Sequence, residues 1–149
     1  MEAIIFIGIQ AAGKSVFYRD MFSDTHIRIN LDMLKTRHRE KLLLQACLEM
    51  RQPFVIDNTN PTRKDRVRYI PLVQDAGFQV IGYYFQSKLQ DAIQRNSLRS
   101  VEKQVPEVAI RGTYSKLELP SLDEGFDELF YVQIGQNQDF IVGTWQDEV

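Results

Sequence analysis

Five short apolar runs punctuate the chain, at 3–7, 26–29, 53–56, 80–85 and 129–134. Each is strand-length and rich in β-branched or aromatic side chains. The polar stretches between them carry helical periodicity. Leu43, Ala46, Cys47 and Met50 recur at i, i+3, i+4 and i+7, one apolar helix face. Ser87 and Gln90 have the spacing of a capping box that opens a further helix. Thr62 is placed to cap a helix running towards Gly77, which Pro71 should kink or divide. Strands alternating with helices predict a parallel sheet joined by right-handed crossovers. The expectation is an α/β fold: a three-layer α/β/α sandwich around a mainly parallel, five-stranded sheet. Near the end, "IGQNQDFIVGTW" sets turn residues between two apolar runs and predicts an added hairpin.

Composition narrows the picture in a few places. A chain of 149 residues fits one domain, and no linker, repeat or low-complexity block divides it, so residues 1–149 read as a single unit. The lone cysteine, Cys47, excludes an internal disulfide and reads as a small buried hydrophobe. The first apolar run has no basic segment ahead of it and is too short to span a bilayer; the expectation is a cytoplasmic protein with no membrane partner. The net charge of −2 argues against a protein that coats nucleic acid. The charges are unevenly spread, however. Residues 28–68 hold ten Lys/Arg against five Asp/Glu, residues 88–116 hold six against three, and eight acidic residues follow Lys116 with no basic one. This pattern fits either a basic face around an anionic site or ordinary solvated helix surface.

The chemistry begins directly after the first predicted strand. Gly8, Ile9, Gln10, Ala11, Ala12, Gly13, Lys14 and Ser15 form G-x-x-x-x-G-K-S, followed by Val16. A strand, a glycine-containing loop and a helix starting near Lys14 make the setting of a phosphate-binding loop, or P-loop. Backbone N–H groups and the helix N-terminus would cradle phosphates there. Lys14 would reach the β/γ-phosphates and Ser15 would ligate Mg²⁺. The fold expectation is therefore P-loop NTPase-like, with ATP and Mg²⁺ as cofactors. Asp32 follows the second strand in "INLD", at the edge where open α/β sheets place ligands. Either Asn30 or Asp32 can cap a helix there. Alternatively, Asp32 accepts the proton of an attacking hydroxyl. Asp57 ends the third strand where a metal-associated carboxylate belongs, and Asn58, Asn60 and Pro61 are either site residues or turn chemistry. Arg95 and Arg99 stand at i and i+4. They serve either as cations at a helix C-terminus or as arginines of a lid, about residues 95–116, that neutralise a transferring phosphoryl group.

In order, these segments resemble the kinase domain of the polynucleotide 5'-hydroxyl kinase family of P-loop phosphotransferases. The family pattern is a P-loop, N-x-D after the second strand, D-x-N near the end of the third, and R-x-x-x-R in a lid. Gly8 to Ser15, Asn30-Leu31-Asp32, Asp57 to Asn60 and Arg95 to Arg99 supply it here. "IDNTNP" and "LPSLDEGF" also look similar to stretches of animal members. The resemblance implies ATP-dependent transfer of the γ-phosphate to a 5'-hydroxyl end of RNA or DNA. On it, Asp32 matches the general base and joins Ser15 at the metal. Lys14, Arg95 and Arg99 match catalytic cations. Lys35 matches a contact to the acceptor's phosphate with Asp57 beside it, and Asn58 and Asn60 complete the acceptor side. The chain departs from the family at Leu31, where arginine is frequent, and at Gln10, Ala12, Val16 and Lys35. Two other classes stay open: a kinase of a small metabolite or nucleotide on the same scaffold, and a nucleotide-binding ATPase module acting through a protein partner.

Overall fold

The computed structural model describes residues 1–146. Its centre is a six-stranded sheet ordered β2-β3-β1-β4-β5-β6. The strands are β1 (Glu2–Ile7), β2 (Ile27–Ile29), β3 (Phe54–Ile56), β4 (Gln79–Phe85), β5 (Glu128–Ile134) and β6 (Phe140–Thr144). The first five run parallel, and β6 turns back antiparallel to β5 with Ile134 opposite Phe140. The tail hairpin is present, so the sheet has six strands where five were expected. The addition is the hairpin's return strand, closed by Gly135 N–H donating to Asp139 O at 2.7 Å.

Period-two alternation along β1 builds the layers. Ala3, Ile5 and Ile7 point into one core, with Ile29, Phe54 and Ile56, and Ile4 and Phe6 into the other. A strand buried on both faces is a continuous apolar run, which is why residues 3–7 lack polar alternation. The first core is covered by α3 (Arg37–Met50) and α5 (Ile70–Asp75) through Leu44, Cys47, Ile70 and Val73. The second is covered by α1 (Lys14–Met21), α6 (Leu89–Ser97) and α7 (Glu107–Lys116) through Phe17, Ala92 and Ile110. Phe6 lies at the hub of an aromatic cluster, with Phe85, Phe17 and Tyr83 at ring-centroid distances of 4.9, 5.9 and 6.0 Å. Deleting that ring would cost about 3–5 kcal/mol. Gly82 of β4 allows the neighbouring layer to close, since a Cβ there would sit 2.6 Å from Leu129 Cδ2.

The helix between β3 and β4 is divided as its proline requires, into α4 (Arg63–Val67) and α5, with Pro71 in the first turn of the latter. Thr62 caps α4 reciprocally with Asp65. Two expectations are corrected. Met50 is 61% exposed, because the buried stripe of α3 runs through Glu40, Leu44 and Cys47, and Arg51 at φ 58° ends the helix directly after Met50. Ser87 does not cap α6. Its hydroxyl donates to Phe85 O at 2.8 Å and accepts from Ile9 N–H at 3.1 Å, tying the end of β4 to the loop after β1.

Candidate active site

The helix after β1 lies on one face of the sheet and the helices after β3 lie on the other, so a crevice opens between these adjacent strands at their C-terminal ends. Ligands of open α/β sheets bind in such a crevice. It is stitched rather than loose: Gly8 N–H donates to Thr59 O at 3.0 Å and Asn60 Nδ2 donates to Phe6 O at 2.8 Å. Arg66, wholly buried, grips Glu124 with Nε at 2.7 Å and Nη2 at 3.1 Å while Nη1 holds Asn60 O at 2.9 Å. Over the crevice stands a cavity of about 450 Å³, lined by Lys14, Ser15, Asp32, Arg37, Asp57, Arg99 and Lys116 among others.

On one side of the cavity the loop Gly8 to Gly13 leads into α1. Gly13 has φ 97°, and a Cβ there would meet Phe140 at 3.0 Å, so both conformation and space call for glycine. Ala11 takes φ 61° without that freedom. Lys14 is buried, and its Nζ donates to Gly8 O at 3.0 Å and Ile9 O at 2.7 Å. Desolvation pushes its ammonium down to about 8. Asp57 opposes that shift, Arg99 adds to it, and Asp32 opposes it more weakly. The Ser15 hydroxyl donates to Asp57 Oδ2 at 3.3 Å, and Val16 is exposed. A hydroxyl and a carboxylate side by side are hard oxygen donors. Mg²⁺ asks for one or two of these and completes its shell with water and phosphate oxygens, so the pair suits it. The carboxylate in contact with Ser15 is that of Asp57; Asp32 lines the same cavity from the other side.

Opposite, α2 (Leu31–Leu34) is short, and its cap is settled: Asn30 Oδ1 accepts from Met33 N–H at 2.9 Å. Asp32 is therefore not the cap, and it projects from the first turn as an exposed carboxylate. Asn58 and Asn60 line the cavity, but their side chains hold the backbone. Asn58 Oδ1 fixes Leu31 N–H at 2.8 Å and its Nδ2 reaches Glu40 at 2.9 Å, so it positions the helix that carries Asp32. Lys35 is exposed, ends α2 at φ 75°, and is not among the cavity's lining residues. Asp57 does not hold Lys35, because its carboxylate is taken by Arg28 Nε at 2.7 Å. The cation that faces the cavity here is Arg37. Its Nη1 donates to Glu40 Oε1 at 2.8 Å and Tyr69 OH at 3.0 Å, and among the described residues Nε and Nη2 have no hydrogen-bond partner. The hydroxyl of buried Tyr69 is pushed up to about 12 by desolvation and then by Glu40, so it stays a neutral donor.

The roof comes from residues 95–116. Arg95 and Arg99 do not share a helix face, since α6 stops at Ser97 and Arg99 lies beyond its cap, Leu98. The two diverge in role. Arg95 Nη1 holds Ala11 O at 3.1 Å, whereas Arg99 lines the cavity, its guanidinium held below the ordinary value by burial. Asn96 clamps Val105 by a reciprocal pair at 2.7 and 3.0 Å, and Gln10 Nε2 donates to Thr113 Oγ1 at 3.0 Å, joining the P-loop to α7. Sequence reasoning missed Arg28, Arg37, Thr113 and Lys116. Arg28 alone left a trace, as a charged residue inside an apolar strand.

Comparison with known proteins gives the same fold and a narrower kinship. A bifunctional polynucleotide phosphatase/kinase of Schizosaccharomyces pombe is 28% identical over 148 residues, covering 97% of this chain and 36% of that protein. The chain spans about a third of the length of the curated relatives it matches. Among solved structures, Chaetomium thermophilum Kti12 in complex with ADP-AlF3 superposes with TM-score 0.65 at 16% identity, covering 91% of this chain and 92% of that one. A gluconokinase from Sinorhizobium meliloti gives 0.60 at 16% identity, covering 91% and 83%. Residues 4–120 match the AAA_33 family model, described as an AAA domain, and the chain therefore belongs to this family of P-loop kinase domains.

Proposed function

We propose that the protein transfers the γ-phosphate of ATP to the 5'-hydroxyl end of a polynucleotide. The observation that carries this reading is one cavity with Lys14 and Ser15 on one side, Asp32 and Arg37 on the other, and Arg99 above. Lys14 and the loop amides bind the β- and γ-phosphates, and Ser15 and Asp57 would hold Mg²⁺, which would supply charge neutralisation on the phosphates. Asp32, an exposed carboxylate free of capping duty, accepts the proton of the attacking hydroxyl. Arg99 offsets charge on the phosphoryl group in flight. Arg37, braced by Glu40 and Tyr69, takes the acceptor's phosphate next to the reacting nucleoside, the part the family pattern assigns to Lys35. The kinship with a polynucleotide phosphatase/kinase supports a nucleic-acid acceptor.

The test is transfer from γ-labelled ATP to a 5'-hydroxyl oligonucleotide, the same oligonucleotide already 5'-phosphorylated, a nucleoside, a nucleoside 3'-phosphate and a sugar panel. Label on the first and fourth only is the expected result. Efficient labelling of sugars or plain nucleosides replaces this reading with a small-metabolite kinase. Nucleotide binding with no transfer to any acceptor replaces it with an ATPase module.

A further inference from the structure

Arg28 sits in the middle of the three-residue strand β2, between Ile27 and Ile29, and its side chain is only 28% exposed. Its Nε donates to Asp57 Oδ2 at 2.7 Å and its Nη2 donates to Ser15 Oγ at 3.0 Å. The guanidinium thus bridges the same two oxygens that suit a divalent cation. The Asp57 side chain is 2% exposed, and a carboxylate so deeply buried needs a cation beside it. Arg28 meets that need. The guanidinium also lies over the Tyr18 ring, its Cζ 6.0 Å from the ring centroid, so part of its charge already rests on that aromatic face.

Two cations cannot share these oxygens without strong repulsion. We propose that Arg28 is an exchangeable cation. It holds Ser15 and Asp57 while no divalent ion is bound, and it yields those oxygens when the metal–nucleotide enters, keeping the Tyr18 face as its remaining partner. Arg28 therefore sets how much Mg²⁺ nucleotide binding requires. The proposal rests on the reading of Ser15 and Asp57 as the metal's protein ligands. A scaffold arginine would hold its partners whether or not metal is present, so the two roles differ in metal linkage rather than in fold.

The experiment measures ADP affinity by titration calorimetry in EDTA and across a Mg²⁺ series, for the parent protein, Arg28→Gln and Arg28→Lys, with melting curves for all three. In Arg28→Gln the Mg²⁺ concentration giving half-maximal enhancement of ADP binding falls by about tenfold, since nothing has to be displaced. Arg28→Lys, a point charge unable to bridge both oxygens, lies between. If Arg28→Gln does not fold, Arg28→Lys decides: a shift of its Mg²⁺ midpoint by about threefold or more supports the exchange. An unchanged Mg²⁺ midpoint in the folded variants overturns the proposal and leaves the nucleotide site intact. Failure of ADP to bind even the parent overturns the nucleotide site and the proposal with it.

Discussion

The two sides of the cavity are built on different principles. On the P-loop side the chain is buried and its parts are backbone: Gly8 and Gly13, loop carbonyls around Lys14, and stitches to Thr59, Ser87 and Phe6. On the facing side the groups are exposed side chains at helix starts, Asp32 on the four-residue α2 and Arg37 as the first residue of the fourteen-residue α3. Phosphate is the same object in every nucleotide, so a rigid cradle of amides serves it. On the proposed function acceptors differ, and exposed side chains at helix starts are parts that can change without disturbing the sheet. Rigidity on one side and replaceability on the other is the division of labour that the proposed function assigns to this cavity.

Breaking the P-loop side should have the largest effect. Lys14→Ala removes the cation that the proposed function places on the β/γ-phosphates, and phosphotransfer should fall by about 10³-fold or more, read as turnover with labelled ATP. On the opposite side, Asp32→Asn should lower transfer by about 10²-fold with ADP affinity retained. Melting temperature should not move, since Asn30 is the cap. Survival of turnover would remove Asp32 from the chemistry.

The lid sharpens the comparison. Arg99→Ala should reduce turnover by up to about 10²-fold with little change in the Michaelis constant for ATP. Arg95→Ala, whose guanidinium holds a loop carbonyl, should act mainly on ATP affinity. Equal behaviour of the two would erase the distinction drawn from the end of α6. An effect of similar or smaller size, roughly 5- to 100-fold, is expected on preference for phosphate-bearing acceptors in Arg37→Met. Lys35→Met should change that preference far less, and the reverse ranking would restore Lys35 as the acceptor contact.

The smallest effect concerns stability. The pKa of Lys14 is about 8 in the folded chain against an ordinary 10.5, so between these values the unfolded chain binds more protons and stability rises with pH. Lys14→Met lacks that gain. Relative to the variant, the parent should therefore recover roughly 2–3 kcal/mol between pH 8 and 10.5 in denaturant titrations. Parallel pH profiles would show that the loop carbonyls fully compensate the buried ammonium.

Much of this protein was fixed by local sequence. The five parallel strands, the P-loop, the Thr62 cap and the division at Pro71 depend on residues within a few positions of one another, and periodicity or dihedral restriction reads them directly. The added hairpin was legible for the same reason. What remained hidden required residues distant in the chain to meet. Arg28 reaches Asp57 across 29 positions, Arg37 reaches Tyr69 across 32, Gln10 reaches Thr113 across 103 and Arg95 reaches Ala11 across 84. The i, i+4 spacing of Arg95 and Arg99 misled because it assumed a helix that stops at Ser97. The resemblance placed Lys35 beside Asp57, but α2 ends at Leu34, and Lys35 at φ 75° lies outside the cavity lining. Sequence alone determined the cradle, because it is contiguous backbone with fixed dihedral needs. Only the tertiary structure decided which cations face the cavity, because a long side chain's partner is set by where helices end and which strands lie side by side.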